Sequence, residues 1–486
     1  MAVRARRTIS RFLLLLGLVM ALGACRSPAA TPVATLPAAG SFSTVAPPQV
    51  VTAPAATTTP IAPTLPASTP LASTLPASTP IYTGPLSPPC GLILPALPAA
   101  TPAAPLDWDV SDAARATLRA QAPAAAWPAL QRLLDAPATV GLVAFQAGQP
   151  EQGLYLNANA PMPLASVAKI ITLVAYAEAV AAGELNPQEA IPLAELDRYY
   201  LPNFDLGAHR RAVAELRAEG RLLPPEDDPA VALADVAWMM IRHSSNAAAD
   251  YLHLRLGQER IEQTAVTLGL NETPGSHSAP CTFLGQFLMM GNHSRQTDDW
   301  AALAALTADP AAAERYGREV ALLADAYRFQ PDFRAGEVAW RERTRRPSTD
   351  TQRYFAANLA PQGTAGAYAA LMLRLAQNGL SNGDSSFQAR RVLEWTNQFP
   401  ANQELFSNVG YKNGSLPGVL TTTYYAYRWD DAAPVVVVLF YRDLPQQTYR
   451  EWRFDLPHDE LARWLLADPA AIPALAAALP ATTTAP

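Results

Sequence analysis

Between residues 27 and 106 the chain has no Asp, Glu, Lys or Arg, and 19 of its 46 prolines fall in that window. Eighty residues made almost wholly of Ala, Pro, Thr and Ser cannot bury enough apolar surface to offset the entropy of ordering them, so an extended spacer is predicted over 25–106. A seven-residue unit, Thr64-Leu65-Pro66-Ala67-Ser68-Thr69-Pro70, recurs at Thr74 to Pro80, as repetitive linkers do. At ~3 Å per residue in a polyproline-like form, such a spacer reaches up to roughly 250 Å. Folding is left to residues 107–466, enough for one large core or two lobes, and the last twenty residues, rich in Ala, Pro and Thr, read as an unstructured tail over 467–486. The formal net charge of -6 argues against a nucleic-acid partner, which needs a surplus of Lys and Arg along one face.

The first 24 residues read as a secretory leader. Arg4, Arg6, Arg7 and Arg11 precede a short apolar run from Phe12 to Met20, followed by Ala21, Leu22, Gly23, Ala24 and Cys25. The run Leu22-Gly23-Ala24-Cys25 resembles a bacterial lipoprotein box, which implies that Cys25 becomes a lipidated N-terminus. That places the mature protein outside the cytoplasm on a membrane. Loss of the four leader arginines would take the net charge from -6 to -10. Cys90 and Cys281 either pair, tying the spacer to the domain, or remain free thiols, and both states are open at this point.

Within the folding region, an amphipathic pattern predicts a helix over 113–134, and 139–146 with 153–157 suit a hairpin. Residues 166–182 are almost all apolar and stop at Gly183, as a buried helix does. Helical patterns continue to about Leu393. Residues 421–427 and 434–441 are rich in Thr, Tyr and Val and flank a turn at Trp429-Asp430-Asp431, as two strands would, and 459–466 suits a closing helix. Strands at both ends with helices between them predict one sheet assembled from distant segments, with a helical lobe inserted.

The chain contains 36 Lys plus Arg, of which only Lys169 and Lys412 are lysines. A sequence that otherwise uses Arg has kept, at two places, the cation that can lose its proton when buried. Lys169 follows Ser166 by three residues, on one helix face, where a desolvated amine can take the proton of a serine hydroxyl. Downstream come Ser244-Ser245-Asn246 at a break between helices, and Lys412-Asn413-Gly414-Ser415 opening the strand block.

Ser-x-x-Lys, Ser-x-Asn and Lys-x-Gly, in this order and on helix, loop and strand, resemble the penicillin-recognising serine hydrolases, and class A β-lactamases in particular. The resemblance covers most of 107–466. It implies an α/β (α+β) fold of the β-lactamase/transpeptidase type, an antiparallel sheet flanked by helices with an inserted all-helical lobe. It also implies Ser166 as acylated nucleophile, Lys169 as general base, Ser244 as proton relay, Asn246 as the holder of the acyl amide and Lys412 as the attractor of the substrate carboxylate. Asn413 would assist with that carboxylate. The N–H groups of Ser166 and Ser415 would form the oxyanion hole, with Gly414 allowing close approach. No cofactor or metal is implied, and a monomer acting on a small β-lactam or a peptidoglycan stem peptide is expected.

Two departures bear on activity. Asn413 stands where the family has Thr or Ser, and no Glu-x-x-x-Asn pattern follows the second motif to supply the glutamate that activates the deacylating water; Glu272 is the nearest acid. The segment from Asn246 to Lys412 is also long, implying an insertion near 282–352. A D-alanyl-D-alanine peptidase or esterase, or an inactive wall-binding lipoprotein, are therefore the competing readings. The six histidines show no metal-binding spacing, Arg341, Arg343, Arg345 and Arg346 read as a solvated helix face, and Tyr199 and Tyr200 as cleft walls or core.

Overall fold

The strand Val435–Tyr441 is an unbroken apolar run buried at every position, which requires a partner layer on each of its faces. In a computed structural model, residues 84, 86–93, 110–273, 275–291, 310–343 and 347–479 are described. The leader, Cys25 and most of the spacer lie outside them, as do His293, Arg345 and Arg346. Five strands form one antiparallel sheet: β1 (Val140–Gln146), β2 (Leu154–Leu156), β3 (Phe406–Leu416), β4 (Val419–Arg428) and β5 (Val435–Tyr441), in the order β2-β1-β5-β4-β3. The first long strand thus pairs with the last, Val140 opposite Tyr441 and Gln146 opposite Val435. The sheet of distant segments, the early hairpin and the two late strands match the sequence expectation.

Alternation along β5 divides the interior. Val435, Val437, Leu439 and Tyr441 face α1 (Asp112–Gln121), α2 (Trp127–Asp135) and the C-terminal helices, whereas Val436, Val438 and Phe440 face the helical lobe. The lobe centres on α3 (Lys169–Ala181), ten of whose thirteen residues are buried and which stops before Gly183 at φ +73°. The predicted first helix is two helices, because Pro123 drives Ala122 into an extended conformation. Among the described residues no single helix is long and apolar enough to cross a membrane.

Two expected boundaries move. The tail expected over 467–486 is ordered through 471–479: α9 (Ala471–Ala478) follows α8 (Pro457–Ala467) and buries Ile472 and Leu475 against the outer face of the sheet, where its alanine-rich sequence lets it lie close. The spacer expected to extend to residue 106 is docked at 86–93. There Cys90 is disulfide-bonded to Cys281, Ser87 N–H and Oγ donate to Asp325 at 2.5 and 2.8 Å, and Gly91 and Ile93 N–H donate to Glu262, each at 2.6 Å. Two buried carboxylates meet backbone donors that an uncharged sequence leaves unpaired, so the strap needs no charge of its own.

Candidate active site

Ser166 sits in a 3-10 turn, Ala165–Ala168, that runs into α3. Three residues on, Lys169 is fully buried, and its Nζ lies 3.2 Å from Ser166 Oγ, 3.1 Å from Ser244 Oγ and 2.7 Å from both Ser244 O and Asn246 Oδ1. Ser244 and Asn246 reach the amine because α4 (Leu233–Arg242) ends there and α5 (Asn246–Leu256) begins, capped by Ser245 Oγ on Ala248 N–H. From the opposite wall, Lys412 on β3 places its Nζ 3.2 Å from the same Ser244 hydroxyl and donates to Asn413 O at 2.6 Å. All three motifs, distant in sequence, meet at Ser244. Ala165 at φ +48° and Ser244 at φ +62° hold left-handed backbone that non-glycine residues resist by about 1–3 kcal/mol each, and Asn203, Leu206 and Leu456 on the cavity wall do the same.

The third motif stands close to the first. A Cβ built on Gly414 would lie 2.7 Å from Ser166 N and 2.7 Å from Leu164 O, so only glycine lets β3 pass. This brings Ser415 beside the start of the Ser166 turn, where backbone N–H groups can face an oxygen carrying developing charge. Ser166, Ser244, Asn246, Asn413, Gly414 and Ser415 all line one cavity of roughly 850 Å³.

Burial is the main cause that lowers Lys169 from its usual range to about 7, opposed by the nearby carboxylates of Asp250 and Asp205. A neutral amine has two N–H donors, which the Ser244 and Asn246 carbonyl oxygens take, leaving its lone pair for a serine hydroxyl proton. Lys412 is pushed well below its usual range, first by burial and then by Lys169. An anion arriving there would favour its charged form. Because only neutral Lys169 can accept the proton, acylation of Ser166 is expected to rise about tenfold per pH unit below pH 7 and level off above it. Rates of labelling by an acylating probe between pH 5 and 9 measure this.

Several residues that sequence reasoning did not single out complete the site. Asp250, four residues after Asn246 and 1% exposed, accepts the N–H groups of Phe283 and Leu284 at 2.8 and 2.7 Å. This seats α6 (Phe283–Met290) so that Lys169 Nζ lies 4.7 Å from the Phe283 ring centroid. The i,i+4 spacing from Asn246 is the one sign of Asp250 in the sequence. Burial raises its carboxyl to about 7, against the pull of those two N–H groups and of Lys169. Glu272 is exposed on a loop and does not line the cavity; Asp205 is the carboxylate that does, and its oxygens cap the helix Ala208–Ala218 through Gly207 and His209 N–H. Phe204, not the tyrosines, walls the cleft: Tyr199 packs edge-on to Tyr251 in the core. Arg341 is buried over the Phe204 ring rather than solvated, since its stem and guanidinium fill the space behind that wall. Among the described residues no group of three or more His, Cys, Asp and Glu converges on one point.

Matches among solved structures include a β-lactamase from Sphaerobacter thermophilus, 17% identical over 77% of this chain and 98% of that one, with a TM-score of 0.39. A variant of PBP-A in an acyl-enzyme complex with penicillin G is 15% identical over 74% and 98%, TM-score 0.37. The TLA-1 extended-spectrum β-lactamase is 11% identical over 74% and 100%, TM-score 0.40. No curated protein matches the chain. The family model described as Beta-lactamase enzyme family matches residues 125–453, well over half of the 486, from the helix before β1 to the helix after β5. With its sheet, its Ser166 beside a buried Lys169 and that match in hand, the chain belongs to the β-lactamase enzyme family.

Proposed function

We propose that the protein is a serine hydrolase that opens β-lactam amides through an acyl-Ser166 intermediate. The observation that carries this is the single buried Lys169 amine within hydrogen-bond reach of the Ser166 and Ser244 hydroxyls, with Lys412 on the far side of Ser244. Neutral Lys169 takes the Ser166 proton as Oγ attacks the carbonyl carbon. The oxyanion is received by the Ser166 and Ser415 N–H groups. As the C–N bond breaks, Ser244 gives its proton to the leaving nitrogen and regains one from Lys169. Asn246 holds the acyl amide, and Lys412 with Asn413 faces the carboxylate beside the leaving nitrogen.

Fluorescent penicillin should label the wild-type protein and leave Ser166→Ala unlabelled, as read by gel fluorescence. Equal labelling of the two would remove Ser166 from the reaction.

A second reading, a D-alanyl-D-alanine peptidase or esterase of the penicillin-binding type, is favoured by one observation. Phe283, not a carboxylate, lies over Lys169, and Asp205 already serves as a helix cap. A long-lived acyl-enzyme with negligible nitrocefin turnover distinguishes it from a fast β-lactamase. Lipid attachment at Cys25, outside the cytoplasm, is part of the same proposal and is checked by labelling with a radioactive fatty acid.

A further inference from the structure

The cleft's charge is opposite to the chain's. Five arginines line it, Arg211, Arg242, Arg353, Arg450 and Arg453, against the one carboxylate of Asp205, in a chain of net charge -6. Arg242 is neutralised by Glu215. The other four, Arg211, Arg353, Arg450 and Arg453, have no carboxylate within 4 Å among the described residues, and Arg353, Arg450 and Arg453 are the three of them that border the segment after the third motif.

These three stand together at one end of the site. Helix α7 (Gln446–Asp455) carries Arg450 and Arg453 three residues apart, and is tied to the third motif by Tyr449 OH, 2.9 Å from Ser415 Oγ. Arg353 donates to Leu444 O at 3.1 Å and borders Gly418, in the turn just beyond β3. Past Ser415 along β3, then, stand three guanidinium groups that meet no carboxylate, that of Arg453 lying 4.8 Å from the Phe454 ring centroid. Lys412 lies on the other side of Ser415 and is buried against Ser244.

In the acyl-serine mechanism the leaving nitrogen is beside Ser244 and its carboxylate beside Lys412. The acyl part of the substrate therefore extends the opposite way, past Ser415. We infer that the cleft selects acyl donors whose acyl side chain carries its own carboxylate, received by Arg353, Arg450 and Arg453, so that the preferred substrate is a dianion. Guanidinium forks match carboxylates in pairs of charge-assisted bonds, and a positive cleft on a negative protein concentrates an anion where it reacts.

The inference rests on the proposed acyl-serine reading, and its test separates the two. Carbenicillin differs from benzylpenicillin by one carboxylate on the acyl side chain. Carbenicillin is expected to acylate the wild-type protein at least about tenfold faster at low salt, an advantage that shrinks as salt is raised. In the Arg450→Gln/Arg453→Gln double variant the ratio of the two rates should fall toward one. Calorimetric binding of both compounds to Ser166→Ala reads the same preference without any acylation. Equal rates and equal affinities, or a ratio that the double variant leaves unchanged, would overturn the dianion preference. A carbenicillin preference in Ser166→Ala with no acylation of the wild type would keep the anion site and discard the hydrolase.

Discussion

Lys169→Arg is expected to slow acylation by about 10²–10⁴-fold, the range that a positioned general base contributes, and to lower the melting temperature, because a guanidinium cannot shed its charge in a site whose burial disfavours the charged amine. Arginine stays protonated at any working pH, so it cannot accept the Ser166 proton. The guanidinium would still find the Ser244 and Asn246 carbonyl oxygens that now take two Lys169 donors at 2.7 Å, which offsets part of that cost. The measurement is the second-order rate of fluorescent-penicillin labelling beside a thermal melt. A variant that labels at the wild-type rate would show that the base is some other group. Lys169→Met, which removes both charge and donors, should lose labelling as fully and also destabilise the second-motif loop.

The second large effect concerns the strap at 86–93. Replacing Cys281 by serine, or reducing the bond, releases a closure spanning 191 residues and is expected to lower stability by about 2–5 kcal/mol. The consequence should extend beyond the melting temperature. Cys281 is two residues from Phe283, whose N–H is held by Asp250 and whose ring covers the Lys169 amine. Once the strap is loosened, that ring can move and water can reach Lys169, raising its affinity for a proton. The pH midpoint of acylation should then move upward along with the drop in melting temperature. Melts and labelling rates with and without reductant check both. An unchanged melt would mean that the Glu262 and Asp325 contacts hold the strap without its bond.

Much of the candidate site could be read from the sequence because its residues fall in local patterns. Ser166 and Lys169 share a helix turn, Ser244 and Asn246 flank a helix start, and Gly414 marks a close passage of backbone. The scarcity of lysine drew attention to both amines, and the structure brings them to one hydroxyl. What stayed hidden depends on docking between segments far apart in the chain. Phe283 reads as one apolar residue among many until Asp250 is seen to hold its N–H. Arg353 and Arg450 are ordinary surface cations until α7 and the helix Thr349–Asn358 set them on the same rim. The strap escapes composition for a related reason: composition describes what a segment can do alone, and 86–93 is held by two carboxylates and a disulfide partner that belong to the domain. The tail was misread because alanine-rich sequence resembles spacer until a sheet face is available to receive it.

The pairing of β1 with β5 also bears on how the molecule comes into being. Val140 waits for Tyr441, so the central ladder of the sheet cannot close until some three hundred further residues have been made. Contacts between residues this distant carry a large loop-closure entropy and form late, which makes for slow folding. Until then β1 presents an unpaired edge. A nascent chain stalled before residue 435 would own the Ser166 and Ser244 hydroxyls and the Lys169 amine yet lack the strand that closes the sheet behind them.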